Sequence, residues 1–267
     1  IELSSLQRAN RKPTDTLSSY ELLLKGKALH HKVQKDALLN ALDTFDSAIK
    51  ADEKNSQAYA WKACALGQGL FRGYIEEDFN VVWKQAEDNL KKARELNEND
   101  FEVHRLMSEV TLAMKDFRAA QRHSKLAYDM VPNDPRVLSV YGDVCVRTGK
   151  VDEGVDALKL ALDLDPIPQG KTNADPRHAG LLFAYYMSRD KDGCLEQIGH
   201  LDEIDVRSWL ITTKICSDEE HDYENLDWFK EGKKLFADKD WEKVVPDFRL
   251  NNDSASEALI EFGKGLF

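Results

Sequence analysis

Apolar residues recur along this chain with the spacing of helices, three, four and seven apart, and almost nowhere alternate as they do in strands. A first helical hairpin is predicted over residues 17–53. Its first helix carries Tyr20, Leu23, Leu24 and Gly26, and its second carries Ala41, Phe45 and Ala48 as an i, i+4, i+7 stripe. A second hairpin spans 56–98, with Ala86, Leu90 and Ala93 on its second helix. The third and fourth span 101–134 and 135–168. Gly142 falls where the helices of the fourth cross and Gly149 at its turn, both places where a side chain would obstruct or strain the backbone. Residues 167–175 (IPQGKTNAD) read as a polar loop. Beyond it, 177–201 and 204–237 are helical pairs of weaker patterning, and 241–267 is a turn followed by one helix from about Asp253.

Ala93, Ala127 and Ala161 stand 34 residues apart, and Pro132 and Pro166 repeat that step. A residue no larger than alanine is needed where two helices cross closely, and a proline just past the second helix stops it. This period resembles the tetratricopeptide repeat. The resemblance implies an all-α, superhelical solenoid of about six helical hairpins plus a C-terminal capping helix. The organisation expected is a linker over 1–16, four repeats over 17–168, a loop over 169–175, and degenerate repeats with the capping helix over 176–267. Ala48 and Ala93 are 45 residues apart, so the second repeat is extended by about eleven. The surplus around Gly67–Gly73 and on to Trp83 predicts two longer helices and a wider turn.

The chain has 267 residues, 37 Lys+Arg and 48 Asp+Glu, for a net charge of −11. Acidity of this size repels phosphate backbones and argues against nucleic acid and anionic membrane as partners. No apolar run is long enough to span a bilayer. Cys64, Cys145, Cys194 and Cys216 are scattered singly and read as small buried hydrophobes, consistent with the cytoplasm, although in some relatives a membrane segment precedes the repeats and leaves the export side open. Ile1 is not an initiator methionine, and the expectation is a piece of a longer protein.

The chemical motifs are weak. Gly170-Lys171-Thr172 matches the tail of a P-loop, but Asp165 stands where the motif needs glycine. The run from Asp218 to Asp222 fans around a helix instead of converging on a metal. Ser217 and Glu220 there match a capping box, so a helix start is predicted. His30 and His31 are adjacent and are expected to point to different faces. No catalytic residue, cofactor or metal site is predicted. The expected binding surface is the concave groove lined by first-helix positions: Leu23, Lys27, Trp61, Ala65, Arg105, Glu109, Ser139 and Asp143. Their mixed charge does not suit a clamp for the acidic tails of chaperones. Trp61 has two readings, an aromatic anchor for a partner or packing against the elongated hairpin. The partners expected are a protein or peptide in the groove, or a second copy of the chain as a homodimer.

Arg11, Lys12, Pro13 and Thr14, followed by Tyr20, Leu22, Leu24 and Gly26, resemble the junction into the C-terminal tetratricopeptide region of bacterial class III adenylate/guanylate cyclases. Winged-helix transcriptional activators of similar layout share it. Val245-Pro-Asp-Phe-Arg, Asn252-Asp-Ser, Leu259 and Gly265-Leu266 are similar to the segment that closes such proteins. The resemblance implies a regulatory or partner-binding region attached to a cyclase. A region of a transcriptional activator and a stand-alone adaptor are the alternatives.

Overall fold

The computed structural model describes residues 17–267. The predicted linker, with the Arg11–Thr14 part of the junction, lies outside the described residues. Those described form fourteen α-helices and one 3-10 turn, with no strand among them, in two compact units, the first ending at Thr111 and the second beginning at Leu112.

The first unit holds α1 (Ser19–His30), α2 (Lys35–Ala51), α3 (Ser56–Phe71), α4 (Phe79–Leu96) and most of α5 (Phe101–Ala113). Side-chain caps fix the starts. Ser18 and Glu21 form a reciprocal capping box on α1, Asn55 accepts from the Ala58 amide, and Asp78 accepts from Asn80 and Val81. Ala41, Phe45, Ala48, Ala58, Ala65, Ala86 and Ala93 are fully enclosed in one core. Gly26 is required here, because a Cβ at this position would enter the buried ring of Phe45.

The second hairpin is extended as expected, with helices of 16 and 18 residues. Its wider turn is pinned. The Gly69 carbonyl accepts from the amides of Tyr74 and Ile75 at 2.8 and 3.3 Å, and the Tyr74 hydroxyl donates to the Val33 carbonyl at 3.2 Å.

The second unit holds α6 (Phe117–Met130), α7 (Pro135–Arg147), α8 (Val151–Leu164), α9 (Asp175–Ser188), α10 (Lys191–Ile198), α11 (Val206–Asp218), α12 (Asp227–Leu235), α13 (Trp241–Val244), a 3-10 turn (Val245–Phe248) and α14 (Asp253–Gly265). Helices α7 and α8 approach so closely that a Cβ on Gly142 would lie 2.9 Å from the Gly154 carbonyl oxygen. One on Gly154 would lie 2.7 Å from that of Gly142. Backbone meets backbone here, and no rotamer change would relieve a substitution. Gly149 turns the chain at φ +88°, as its place in the pattern predicts.

Two expectations need correction. Ser217 and Asp218 do not start a helix. They end α11, because Ile211 and Ile215 keep its apolar stripe buried through this stretch, and Glu220 leaves it at φ +54°. The next helix begins only at Asp227. The acids therefore stand at a helix C-terminus, where the dipole disfavours them, and Asp218 is held by Lys214 one turn earlier. The predicted plain turn after Trp241 instead contains α13 and the 3-10 turn, which bury Trp241, Val245 and Phe248. The helix from Asp253 stands where it was predicted.

Candidate functional site

In the first unit the first-helix positions meet around Trp61. Its indole is 2 % exposed. Lys27 Nζ lies 5.2 Å and Arg105 Cζ 5.4 Å from its ring centre, both in cation–π range. The two cations share Glu102. Arg105 Nε donates to Glu102 Oε2 at 3.0 Å and Nη2 to Oε1 at 3.2 Å, while Lys27 Nζ stands 3.7 Å from Oε1. Arg105 Nη1 also donates to Glu109 Oε1 at 2.9 Å. Burial by itself would lower the Arg105 pKa; Glu109 and Glu102 outweigh it and raise the pKa, so the guanidinium stays charged inside the unit.

Five of the predicted groove positions, Leu23, Lys27, Trp61, Ala65 and Arg105, are buried, and Glu109 is half-buried at the edge of the cluster. Leu23 and Ala65 belong to the apolar core. Ser139 and Asp143 lie in the second unit and are partly exposed. There the Ser139 hydroxyl donates to the Pro135 carbonyl at 2.8 Å and accepts from Arg177, and Asp143 accepts from Arg147 Nε at 2.9 Å. Arg147 also donates to the Phe248 and Arg249 carbonyls at 2.5 and 2.7 Å, tying α7 to the 3-10 turn.

His30 and His31 do not face apart. Both pack edge-on against Trp61, at ring separations of 5.3 and 5.4 Å, because one indole is broad enough to meet two neighbours at the end of α1. Sequence reasoning missed both histidines and Glu102. A signal for Glu102 was its place one helical turn before Arg105, on the same face. His30 Nδ1 and Trp61 Nε1 are buried with no hydrogen-bond partner among the described residues. Burial, then the charges of His31, Arg105 and Arg72, hold the His30 imidazole down at about 3, from an ordinary value of 6.5.

A lowered histidine has a definite consequence for stability. Between pH 3 and 6.5 the unfolded chain binds a proton at His30 that the folded chain refuses, so the contribution is full above pH 6.5 and is lost on acidification. The expected loss from this group is about 2 kcal/mol at pH 5 relative to pH 7. Urea titrations at both pH values on the wild type and His30→Leu check it. The variant should show a pH difference smaller by that amount; equal differences would mean that His30 protonates in the folded protein.

The cysteine thiols are all raised by burial, Cys216 to about 11, which leaves them protonated and poor nucleophiles at neutral pH. Gly170, in the P-loop-like stretch, turns the loop before α9 at φ +80°. No helix among the described residues is long and apolar enough to cross a membrane.

Solved structures of similar fold include tetratricopeptide-repeat proteins. A tetratricopeptide-repeat protein from Parabacteroides merdae matches 98 % of this chain and 91 % of its own at a TM-score of 0.51 and 14 % identity. The fold is the tetratricopeptide-repeat fold. Pseudomonas aeruginosa PilF matches over 80 % of this chain and 95 % of its own, with a TM-score of 0.55 and 14 % identity. The Cut9–Hcn1 hetero-tetramer of the APC/C matches over 98 % of this chain and 45 % of that chain, with a TM-score of 0.65 and 14 % identity. No family model matches this chain, and no curated protein does.

Proposed function

We propose that this chain is a non-catalytic protein-interaction module of the tetratricopeptide type, serving as the regulatory region of a larger signalling protein. The observation that carries this reading is the convergence of Lys27, Trp61, Arg105 and Glu109 from three first helices onto one cluster. The buried charges are locked by ion pairs and stacking, so Glu109 stands at the edge in a fixed setting, ready for a partner's polar or cationic group at little ordering cost. A chain of similar fold belongs to the APC/C hetero-tetramer Cut9–Hcn1, a multi-protein assembly.

The test is selection of peptides that bind the purified chain, followed by Glu109→Lys. The selected peptides are expected to lose at least about tenfold in affinity, the scale of one charge-assisted hydrogen bond; because the reversal also sets a cation beside buried Arg105, binding is read at a temperature where circular dichroism shows the variant folded. Affinity unaffected by the charge reversal would move the binding face elsewhere.

Within this reading, a nucleotide cyclase is the effector. Its support is the resemblance carried by Tyr20, Leu22, Leu24 and Gly26 and by the segment from Val245 to Leu266. Reading the coding DNA upstream of Ile1 decides it. A cyclase domain supports the assignment, a winged-helix domain moves the output to transcription, and a start codon alone leaves an adaptor.

A further inference from the structure

Helix α6 breaks two rules of charge placement. Arg118 occupies its first turn, where the helix dipole favours acids, and the acid beside it, Asp116, is spent on capping the helix amides. Arg122 follows at i+4, a like-charge pair that disfavours the helix. Neither arginine has a carboxylate within ion-pair distance among the described residues. Both open onto a surface cavity of about 390 Å³, lined by Arg118, Gln121, Arg122, Lys125, Tyr141, Cys145 and Lys150. Four cations thus surround one cavity in a chain whose net charge is −11.

The acids nearby are already engaged. Glu153 accepts from the Tyr141 hydroxyl and lies 3.6 Å from Lys150, and Asp129 is paired with Lys125. Asp116 caps the α6 amides through Ala119. Against four lining cations stand three acids, two of them paired with the lysines and the third capping the helix, so the two arginines keep an uncompensated positive charge.

We propose that this cavity binds an acidic peptide segment carrying carboxylates at alternate residues. Arg118, Arg122 and Lys125 are strung along one side of α6, about 6 Å and then about 4.5 Å apart along the axis, a row that suits a series of anionic groups. Side chains on one side of an extended peptide repeat every ~6.7 Å, which matches the arginine step. Guanidinium forks pair with carboxylates through two parallel hydrogen bonds. The floor of Tyr141 and Cys145 accepts the methylene stems between them. This inference rests on the reading of the chain as a protein-binding module, but its arginines lie on a second helix and it does not use the Trp61 cluster.

The experiment is fluorescence polarisation with a labelled peptide of alternating glutamate and alanine, at low and at moderate salt. Binding is expected to weaken with salt and to fall about tenfold or more in the Arg118→Glu/Arg122→Glu double variant, whose circular dichroism and melting temperature should match the wild type. Glu109→Lys, read at a temperature where circular dichroism shows it folded, should leave this binding intact, which separates failure here from failure of the Trp61 face. No binding at millimolar peptide, or equal binding by the double variant, overturns the proposal. So does tighter binding of a single-stranded oligonucleotide to the same arginines, which would make the site a nucleic-acid surface.

Discussion

Trp209→Ala is expected to destabilise the protein by about 3–5 kcal/mol, the cost of emptying a large, fully enclosed aromatic site. Trp209 has no exposed surface. It stacks on Phe229 at 5.7 Å and on Trp241 at 6.3 Å, and meets Phe236 at 5.6 Å and Phe267 at 6.0 Å. Its Nε1 donates to the Phe229 carbonyl at 3.2 Å, so truncation also strands a buried acceptor. The neighbours cannot collapse inward. Gly232 already presses its backbone against the indole, and Gly263 does the same against Trp241. A thermal melt should drop by roughly 10 °C or more. Trp209→Phe keeps a ring and loses the donor, and should fall between. A drop of only a degree or two in the alanine variant would mean that α12, α13 and α14 are not anchored on this ring.

That aromatic core shows where the sequence was legible and where it was not. The repeat step of Ala93, Ala127 and Ala161 exposes the hairpins because each small residue answers to a local crossing, repeated at fixed spacing. The glycines at 142 and 149 are readable for the same reason. The ring of Trp209, Phe229, Trp241 and Phe267 has no period. Its members come from degenerate repeats and short helices, and only their packing relates them. The acidic run after Ser217 misled because a capping box and a helix exit can share one composition. What separates them is whether Ile211 and Ile215 carry a buried stripe into it, which depends on the partner surface.

The groove positions were legible in register but not in exposure. Counting from Ala127 selects Lys27, Trp61 and Arg105, which do come together. The count cannot say that they are enclosed, nor that Glu102 joins them. Lys27 and Glu102 are 75 residues apart, and their meeting depends on how α1, α3 and α5 stack.

Glu102→Ala follows as the second large effect, a loss of about 3 kcal/mol or more. Glu102 is 1 % exposed and serves both Lys27 and Arg105. Removing one partner of a buried ion pair leaves charge in a poorly solvated place, which costs more than the pair itself contributes. Arg105 cannot shed its proton to escape, since a guanidinium stays protonated in proteins, and Glu109, a counter-charge left to it, is partly in water. Glu102→Gln keeps the shape without the charge and should cost nearly as much, which distinguishes electrostatics from packing. The sharper check is a double-mutant cycle by urea unfolding. Arg105→Met in the Glu102→Ala background removes the stranded cation and should restore part of the loss, giving a coupling of at least about 1 kcal/mol. Additive losses would show that the two side chains contribute separately. The Trp61 cluster would then be a packing feature, and its value as a rigid binding face would lose its physical basis.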